Sequence, residues 1–250
     1  MLSFFHNLLT ILLYTNIVLK GENMDYYFIS YGLIGISFLI TTIAQLYITS
    51  TYKKYRKQRN QRGINGKEVA RMILNKNGID YVNVVEVQGY LSDHYDPRKK
   101  EVRLSGINFN EDSISSIAVA CHECGHAIQD RVNYAPLKFR SSLIPFVNFS
   151  SYAGYIAIML GIIFSSINLI WIGIILELVI LLFQLVTLPV EINASKRALK
   201  ELKNLNIVDD IELKKCKKVL IAAAMTYIAS VASTLLEILR LVLIFGRRRR

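Results

Sequence analysis

The first strongly apolar segment of the chain predicts a transmembrane helix at residues 24–52. No residue between Asp25 and Lys53 carries a charge. About 20 apolar residues suffice for a helix to cross the hydrocarbon core of a bilayer, so this segment is long enough. Its five tyrosines lie toward its two ends, where the amphipathic rings of membrane helices usually sit.

A second apolar region, at residues 141–190, is too long for one span and predicts a transmembrane hairpin. Its only charged residue is Glu177. Three polar residues interrupt the region and indicate a turn: Ser165, Ser166 and Asn168. We therefore predict two helices, at about 143–164 and about 169–189.

The last apolar stretch, Val219–Phe245, predicts a C-terminal membrane helix within residues 219–250, which end in an arginine tail. Glu237 and Arg240 interrupt this stretch three residues apart, so the two can pair on one helix face. Residues 191–218, between the hairpin and this helix, are predicted to form a helix followed by a basic loop.

Residues 1–23 are apolar up to Leu19, and two interpretations of them remain open. A basic n-region and a small-residue cleavage site, which a secretory signal peptide would have, are both absent. The segment is either an additional helix, spanning or interfacial, which we favour, or an extension that precedes a start at Met24.

Between the first span and the hairpin, residues 53–140 predict a small α+β unit. Asn65 and Glu68 are spaced like the two members of a helix capping box, and Gly78 is placed to end that helix. The remaining predicted elements are a β-rich segment at Tyr81–Val87, two strands at Gly89–Tyr95 and Glu101–Ser105 joined by a turn at Asp96–Lys99, and a helix that begins after Asn110 or Ser113 and continues to Asp130.

Composition supports a membrane protein and excludes several other classes. Of the 250 residues, 52% are hydrophobic and 20% are charged, which is too apolar for a disordered chain. With 13 glycines, four prolines and three cysteines, the chain is neither collagen-like nor a disulfide-rich secreted scaffold. A net charge of +11 on so apolar a chain favours contact with anionic lipid headgroups over nucleic acid.

The basic residues also predict the orientation in the membrane. One cluster of six Lys and Arg lies at residues 53–62, and another lies after the hairpin, at residues 196–218. A hairpin returns the chain to the side that it left, so both clusters share one side, which the positive-inside rule makes cytoplasmic. The tail Arg247–Arg250 disagrees, because it lies outside unless the last segment re-enters.

Candidate chemistry is concentrated in the predicted helix that ends at Asp130, which contains a His-Glu-x-x-His motif. His122 and His126 are one helical turn apart and share a face, so their imidazoles can bind one zinc ion. Zinc lowers the pKa of its bound water to about 7, and Glu123 can accept a proton from this water as it attacks a carbonyl group. Two surface histidines on an amphipathic helix are the disfavoured alternative, because the helix is apolar around the motif.

A catalytic zinc site has three protein ligands and one open position, so a third ligand is required. No histidine follows His126, and the third ligand is therefore expected to be a carboxylate. We favour Glu191, at the end of the hairpin's second helix, where Ala194 and Ser195 let another helix approach closely. Glu177 is the alternative, although its position predicts that it lies well inside the membrane.

Three motifs together resemble the YugP-type bacterial neutral zinc metallopeptidases. They are the zinc-helix segment Ala120–Asp130, the segment LSDHYDP at Leu91–Pro97 and the segment LPVEINASKRAL at Leu188–Leu199. The resemblance extends from about Met24 to the arginine tail, and the layout is also similar to that of HtpX-like and CAAX-protease-like membrane metallopeptidases. It implies a zinc cofactor, His122, His126 and Glu191 as its ligands, and Glu123 as the base.

Four further side chains are candidates for binding the substrate or stabilising an oxyanion: Asp93, His94, Tyr95 and Arg197. The first three lie on the predicted strand before the zinc helix. In metallopeptidases of this layout such a strand can pair with an extended substrate, and His94 is the best candidate. The alternative is a hairpin turn with solvated polar residues. For Arg197, a solvated or lipid-facing position is the favoured interpretation.

The cysteines are interpreted as small buried apolar side chains. Cys121 and Cys124 are spaced as a C-x-x-C pair, but only Cys216 remains to complete a zinc-binding knuckle. Two positions depart from the patterns of the resembling families. Cys124 stands where an apolar residue is more usual, and Ser195 stands where the HtpX-like pattern has Asp. No carboxylate partner is therefore assigned to a histidine ligand.

Together these patterns predict a mainly α-helical integral membrane protein, a helical bundle with a small α+β zinc-peptidase unit. The predicted function is that of a zinc-dependent endopeptidase, gluzincin-like in combining His-Glu-x-x-His with a distal Glu. It is expected to act at the cytoplasmic face of the cell membrane, on proteins or peptides that are themselves membrane-associated. Two alternatives remain: a membrane scaffold or adaptor with a structural or vestigial zinc site, and a zinc hydrolase acting on a lipid or small amide.

Overall fold

A computed structural model describes residues 24–89 and 92–246 of the chain. Its helices are α1 (Met24–Arg56), α2 (Gly66–Lys76), α3 (Gly106–Asn110), α4 (Ile114–Arg131), α5 (Ala135–Ile163), α6 (Ile167–Asn204) and α7 (Asp210–Phe245). Its strands are β1 (Asn83–Val87), β2 (His94–Asp96) and β3 (Glu101–Ser105).

Helices α1, α5, α6 and α7 are each long and apolar enough to cross a membrane. The described residues otherwise contain three helices of 5 to 18 residues and one three-stranded sheet. The prediction of a mainly α-helical membrane protein with a small α+β unit is therefore confirmed.

The described chain divides into two compact units. The first, here called the membrane unit, comprises residues 24–41, 143–183 and 230–246. The second, here called the motif unit because it contains the His-Glu-x-x-His motif, comprises residues 42–142 and 184–229. Residue 183 and residue 229 lie within α6 and α7, so these helices contribute to both units.

Within the membrane unit, several large apolar side chains are exposed to an extent that would be unfavourable in water. Phe28, Phe149 and Phe164 are 74%, 68% and 71% exposed. A bilayer solvates such side chains, so their exposure agrees with the hydropathy of these helices.

Close helix packing in the membrane unit depends on glycine. A Cβ added to Gly173 of α6 would lie only 2.3 Å from Cγ1 of Ile158 and 3.0 Å from the Gly154 carbonyl oxygen on α5. Small residues let membrane helices approach at this distance. On α7 the predicted pair forms, with Arg240 Nε donating to Glu237 Oε2 at 2.9 Å.

The helices of the hairpin are longer than their apolar segments predict. The turn lies at residues 164–166, as predicted, but α5 begins at Ala135 and α6 continues past Pro189 to Asn204. Residues 191–204 are therefore an extension of the second hairpin helix, and only residues 205–209 connect it to α7. The extension is stabilised by a buried face with four-residue spacing, formed by Val190, Ala194, Ala198 and Leu202.

The N-terminal boundaries of α2 and α4 agree with the predicted caps. Asn65 and Glu68 form the reciprocal capping box, and Gly78 follows α2 with a left-handed φ of +61°. Of the two predicted caps for α4, Ser113 is the one used, since its Oγ accepts from the Ser116 N–H at 3.1 Å. Helix α7 also begins before its apolar stretch, because Asp209 caps it at the Glu212 N–H.

The sheet has the order β1-β3-β2, with β1 parallel and β2 antiparallel to β3. The predicted turn forms, because the Asp96 carboxylate accepts from the N–H groups of Arg98 and Lys99. Strand β2 begins only at His94, later than the predicted strand start at Gly89. Among the described strands its outer edge has no partner.

Three predictions fall outside the described residues. They concern the extra helix within residues 1–23, the arginine tail at 247–250, and residues 90 and 91 of the predicted strand. They stay predictions.

Candidate metal centre

Helix α4 carries the His-Glu-x-x-His motif and is buried on nearly all sides. Ile114, Ile117, Cys121 and Cys124 are each fully buried in the main core of the motif unit, together with residues of α2 and β3. A helix enclosed in this way holds its polar side chains in fixed positions. The histidines therefore project from a rigid element.

The approach of α6 to α4 depends on Gly125, which lies between the two histidines in sequence. A Cβ at this position would be 2.4 Å from the Ala194 carbonyl oxygen and 3.0 Å from its carbonyl carbon. Only a residue without a side chain permits this backbone contact. Because Glu191 lies three residues before Ala194 on α6, the contact also brings its carboxylate to the zinc helix.

His122, His126 and Glu191 converge on one point. Glu191 Oε2 lies 3.1 Å from His122 Nε2 and 3.5 Å from His126 Nε2. The two imidazole rings stand nearly perpendicular, with centroids 4.8 Å apart. The three side chains offer ligand atoms that all lie within 4.8 Å of one another.

This donor set fits zinc. Two imidazole nitrogens and one carboxylate oxygen are a common catalytic zinc set, with bond lengths of about 2.0–2.2 Å. In a tetrahedral site, bonds of that length separate neighbouring ligand atoms by roughly 3.4 Å. The observed separations of 3.1 and 3.5 Å match this value.

Each histidine has a second partner on its other nitrogen. His126 Nδ1 donates to Gln129 Oε1 at 3.0 Å, and His122 Nδ1 lies 3.2 Å from Ser195 Oγ. Both contacts leave Nε2 as the nitrogen that faces Glu191. Such partners fix the ring orientation of metal-binding histidines.

Gln129 also links α4 to α6. It is fully buried, and its amide donates to the Val190 carbonyl oxygen at 2.8 Å and to Asn193 Oδ1 at 3.0 Å. These acceptors lie on either side of Glu191 in sequence. Gln129 therefore positions His126 and the Glu191 segment together, a role that the sequence reasoning missed.

Glu123 is buried beside the cluster, with 7% of its surface exposed. Burial raises the pKa of its carboxyl group. Electrostatic interaction with the two histidines lowers this pKa, and the negative charges of Glu191 and Asp93 raise it again. A buried carboxyl group with a raised pKa is suited to accepting and returning a proton.

Two residues near Glu191 were not identified from the sequence. On α5, Arg140 Nη2 lies 3.9 Å from Glu191 Oε1, the oxygen that does not face the histidines. On α7, Tyr227 interacts electrostatically with Glu191, Glu123 and Arg140. Neither residue belongs to a local motif, so no sequence signal indicated them.

The four predicted substrate-binding side chains form hydrogen bonds with residues outside the cluster of His122, His126 and Glu191. Asp93 accepts from the Ser105 N–H at 2.7 Å, and His94 Nδ1 lies 2.8 Å from the Ser92 carbonyl oxygen. Tyr95 donates to Asp130 at 2.7 Å, and Arg197 donates to Asn193 at 2.8 Å.

The Tyr95 phenol stays protonated in this environment. Burial and the hydrogen bond to Asp130 raise the pKa of Tyr95 above its ordinary value. The same carboxylate accepts from Lys100 Nζ at 2.5 Å. Tyr95 and Asp130 thus join β2 to the end of the zinc helix.

The remaining candidates lie apart from the cluster. Glu177 is in the membrane unit, whereas the three clustered residues are all in the motif unit. Cys121 and Cys124 are fully buried free thiols, and burial raises the pKa of both. Their interpretation as small buried side chains is confirmed.

Comparison with known proteins assigns the chain to a protein family. The sequence profile of a family described as "Putative neutral zinc metallopeptidase" matches residues 30–246, most of the chain. The chain belongs to this family. It is 42% identical over 222 residues to a Bacillus subtilis (strain 168) protein named "Putative membrane protease YugP", covering 89% of this chain and 97% of that protein. No solved structure matches the chain significantly.

Family membership confirms the resemblance and identifies the cofactor class. The family is one of zinc peptidases, and His122, His126 and Glu191 are close enough to bind a metal ion. The cofactor is zinc. The match to a membrane protease and the four long apolar helices agree in making the chain a membrane protein.

Proposed function

We propose that this protein is a membrane-embedded zinc endopeptidase whose ligands are His122, His126 and Glu191 and whose general base is Glu123. The observation that carries the proposal is the convergence of the three ligand side chains within 4.8 Å next to a buried carboxyl group. A structural zinc site needs no such group. A scaffold protein would have no use for Glu123 in this position.

Zinc held by these residues would act as a Lewis acid toward water and the peptide carbonyl group. The ionised Glu123 carboxylate accepts a proton from the attacking water and returns it to the leaving amine nitrogen. Gln129 and Ser195 hold the two imidazoles in orientation from their Nδ1 sides. Arg140 balances the charge of Glu191 from its outer oxygen.

A peptide substrate is supported by the edge of the sheet. Strand β2 pairs only with β3 among the described strands, so its outer edge can accept an extended peptide as an additional strand. Asp93 is adjacent to this strand and interacts electrostatically with Glu123, which relates the edge to the base. A lipid or small amide substrate would need no strand edge.

We further propose that the site faces the cytoplasm and that the substrates are membrane-associated. Basic residues are concentrated at 53–62 and 196–218, and the positive-inside rule assigns both to the cytoplasmic side. The exposed turn residue Arg98 allows a test. An Arg98→Cys variant in intact cells should react with an impermeant maleimide only after permeabilisation, and labelling of intact cells would contradict the orientation.

The proposed function is tested with purified protein reconstituted in liposomes. The wild type should contain about one zinc ion per chain and hydrolyse dye-quenched casein. Glu191→Gln should lose zinc affinity and hydrolysis together, whereas Glu201→Gln, a control on the same helix, should keep both. A Glu191→Gln variant that binds zinc and cleaves like the wild type would contradict the assignment. Zinc binding without cleavage would favour the scaffold alternative.

A further inference from the structure

A basic recess lies in the motif unit where the first membrane helix ends. It has a volume of about 740 Å³ and lies between the end of α1 and the segment that precedes α4. Volumes of about 300–1,000 Å³ are typical of sites for small ligands. Four cations line the recess together with two carboxylates, so its lining carries a net positive charge: Lys53, Arg56, Lys57, Arg59, Glu111 and Asp112.

The two carboxylates are paired with the two arginines. Glu111 accepts from Arg56 Nη2 at 2.6 Å and from Arg56 Nε at 3.0 Å, and Asp112 Oδ1 lies 3.3 Å from Arg59 Nε. The two lysines, at positions 53 and 57, are exposed, and within the part of the chain that the structure describes neither forms an ion pair. These lysines therefore carry the uncompensated charge of the recess.

Backbone hydrogen bonds join the two sides of the recess. The Ile114 N–H donates to the Gln58 carbonyl oxygen at 2.9 Å, and the Asn60 N–H donates to the Asp112 carbonyl oxygen at 2.9 Å. Ser113, which also lines the recess, is the N-cap of the zinc helix α4. The recess is therefore formed before any ligand binds, and its rim includes the start of the zinc helix.

The two lysines continue an exposed apolar face of α1. Ile43 and Leu46 are both 64% exposed, and Ser50, Lys53 and Lys57 follow as exposed residues at steps of three and four. Such steps keep side chains on one face of a helix. Exposed apolar side chains of a membrane helix are solvated by lipid acyl chains. The cations thus lie in line with the face that lipid contacts.

The opposite face of this part of α1 packs against protein. Ala44, Tyr52 and Tyr55 are buried, and the Tyr52 hydroxyl donates to Asn108 Oδ1 at 2.8 Å. Only the face that carries the lysines is therefore open to lipid. With a rise of about 1.5 Å per residue, the seven residues from Leu46 to Lys53 span about 10 Å, so an acyl chain and its headgroup can contact both.

We propose that this recess binds the phosphate group of an anionic phospholipid through Lys53 and Lys57, with the acyl chains along Ile43 and Leu46. Lysine ammonium groups bind phosphate as point charges. Each lysine close to an anionic membrane surface favours binding by about fivefold. A soluble phosphate ester would contact the cations alone, whereas the apolar face beside them fits a lipid. The site is independent of the proposed peptidase function.

The test counts bound lipids by native mass spectrometry of the full-length protein in a nonionic detergent. The wild type should bind one dioleoyl phosphatidylglycerol more tightly than dioleoyl phosphatidylcholine. The double variant Lys53→Gln/Lys57→Gln should bind phosphatidylglycerol about 25-fold more weakly, because two contributions of about fivefold are lost, and should bind phosphatidylcholine unchanged.

The matched control is Lys217→Gln/Lys218→Gln, which removes two exposed lysines next to another apolar stretch. It should bind phosphatidylglycerol like the wild type. Equal binding of the two lipids by the wild type, or equal losses from the two double variants, would refute a specific site at the recess. Circular dichroism monitors the fold. If Lys53→Gln/Lys57→Gln does not fold, Lys57→Gln alone should weaken binding about fivefold, and unchanged binding would again refute the site.

A soluble headgroup separates a lipid from a free phosphate ester as the ligand. Glycerol phosphate carries the same phosphate group as phosphatidylglycerol but has no acyl chains. At millimolar concentration it should not displace the bound lipid. Displacement at the concentrations at which the lipid itself binds would contradict a lipid ligand and assign the recess to soluble phosphate esters.

Discussion

Replacing Gly125 by Ala tests whether close backbone contact between α4 and α6 assembles the metal centre. The added Cβ would lie 2.4 Å from the Ala194 carbonyl oxygen. A carbon and a carbonyl oxygen that are not bonded ordinarily stay about 3.4 Å apart. The two helices must therefore separate by roughly 1 Å, because the obstructing atom belongs to the backbone and cannot rotate away.

A separation of that size matters at the ligands. Glu191 Oε2 is 3.1 Å from His122 Nε2 and 3.5 Å from His126 Nε2, close to the roughly 3.4 Å spacing of tetrahedral zinc ligands. Moving the carboxylate by roughly 1 Å prevents all three bonds from reaching their normal length together. We expect zinc affinity to fall about 10- to 100-fold, with a loss of stability of about 1–3 kcal/mol from overpacking.

The assay is competition for zinc against a chromophoric chelator, with the fold monitored by circular dichroism. Gly35→Ala is the matched control, since Gly35 is also helical but a Cβ there would meet nothing within 4 Å. Its zinc affinity should equal that of the wild type. A folded Gly125→Ala variant with wild-type zinc affinity would refute the argument that this contact positions Glu191.

Three further predictions concern groups around the centre. Gln129→Ala removes the hydrogen-bond partner of His126 Nδ1, so zinc affinity or activity should fall about 10- to 100-fold in chelator competition and casein assays. Unchanged values would mean that Gln129 does not orient His126. Cys121 and Cys124 are buried with raised pKa values, so mass spectrometry should find no iodoacetamide adduct on them in the native protein at pH 8 but full alkylation after denaturation. Asn65→Ala breaks the capping box of α2 and should lower the free energy of unfolding by about 1 kcal/mol in denaturant titrations, whereas no loss would show the cap to be dispensable.

Local spacing made the zinc helix predictable. His122 and His126 are four residues apart, and helical geometry alone places them on one face. The Asn65 and Ser113 caps were predictable for the same reason, because each contact joins residues three apart. In all these cases the partners are neighbours within one element.

The ends of the long helices were less predictable from hydropathy. Apolar runs locate the part of a helix that is suited to lipid, but α6 continues to Asn204 through buried positions four residues apart. Helix α7 likewise begins at Asp210, before its apolar stretch. The limits of a helix are set by the extent of its buried face and by its capping residues. Neither of these coincides with the limit of an apolar run.

Contacts between distant helices were the hardest to foresee. Glu191 could be proposed because few carboxylates follow His126, although 69 residues separate it from His122. For Gln129, the signal was present, since it follows His126 by three residues on a buried face. Nothing local indicates Arg140 or Tyr227, because their proximity to Glu191 arises only when three long helices pack together.

The zinc content and turnover of Glu123→Gln test most directly whether this protein is a zinc peptidase with Glu123 as its base. This change removes the base but keeps the shape of the side chain and the three proposed ligands. With Glu86→Gln as an exposed control, we predict that Glu123→Gln binds about one zinc ion per chain and hydrolyses casein at least 100-fold more slowly than the wild type. A zinc-loaded Glu123→Gln variant that cleaves casein as fast as the wild type would contradict this prediction.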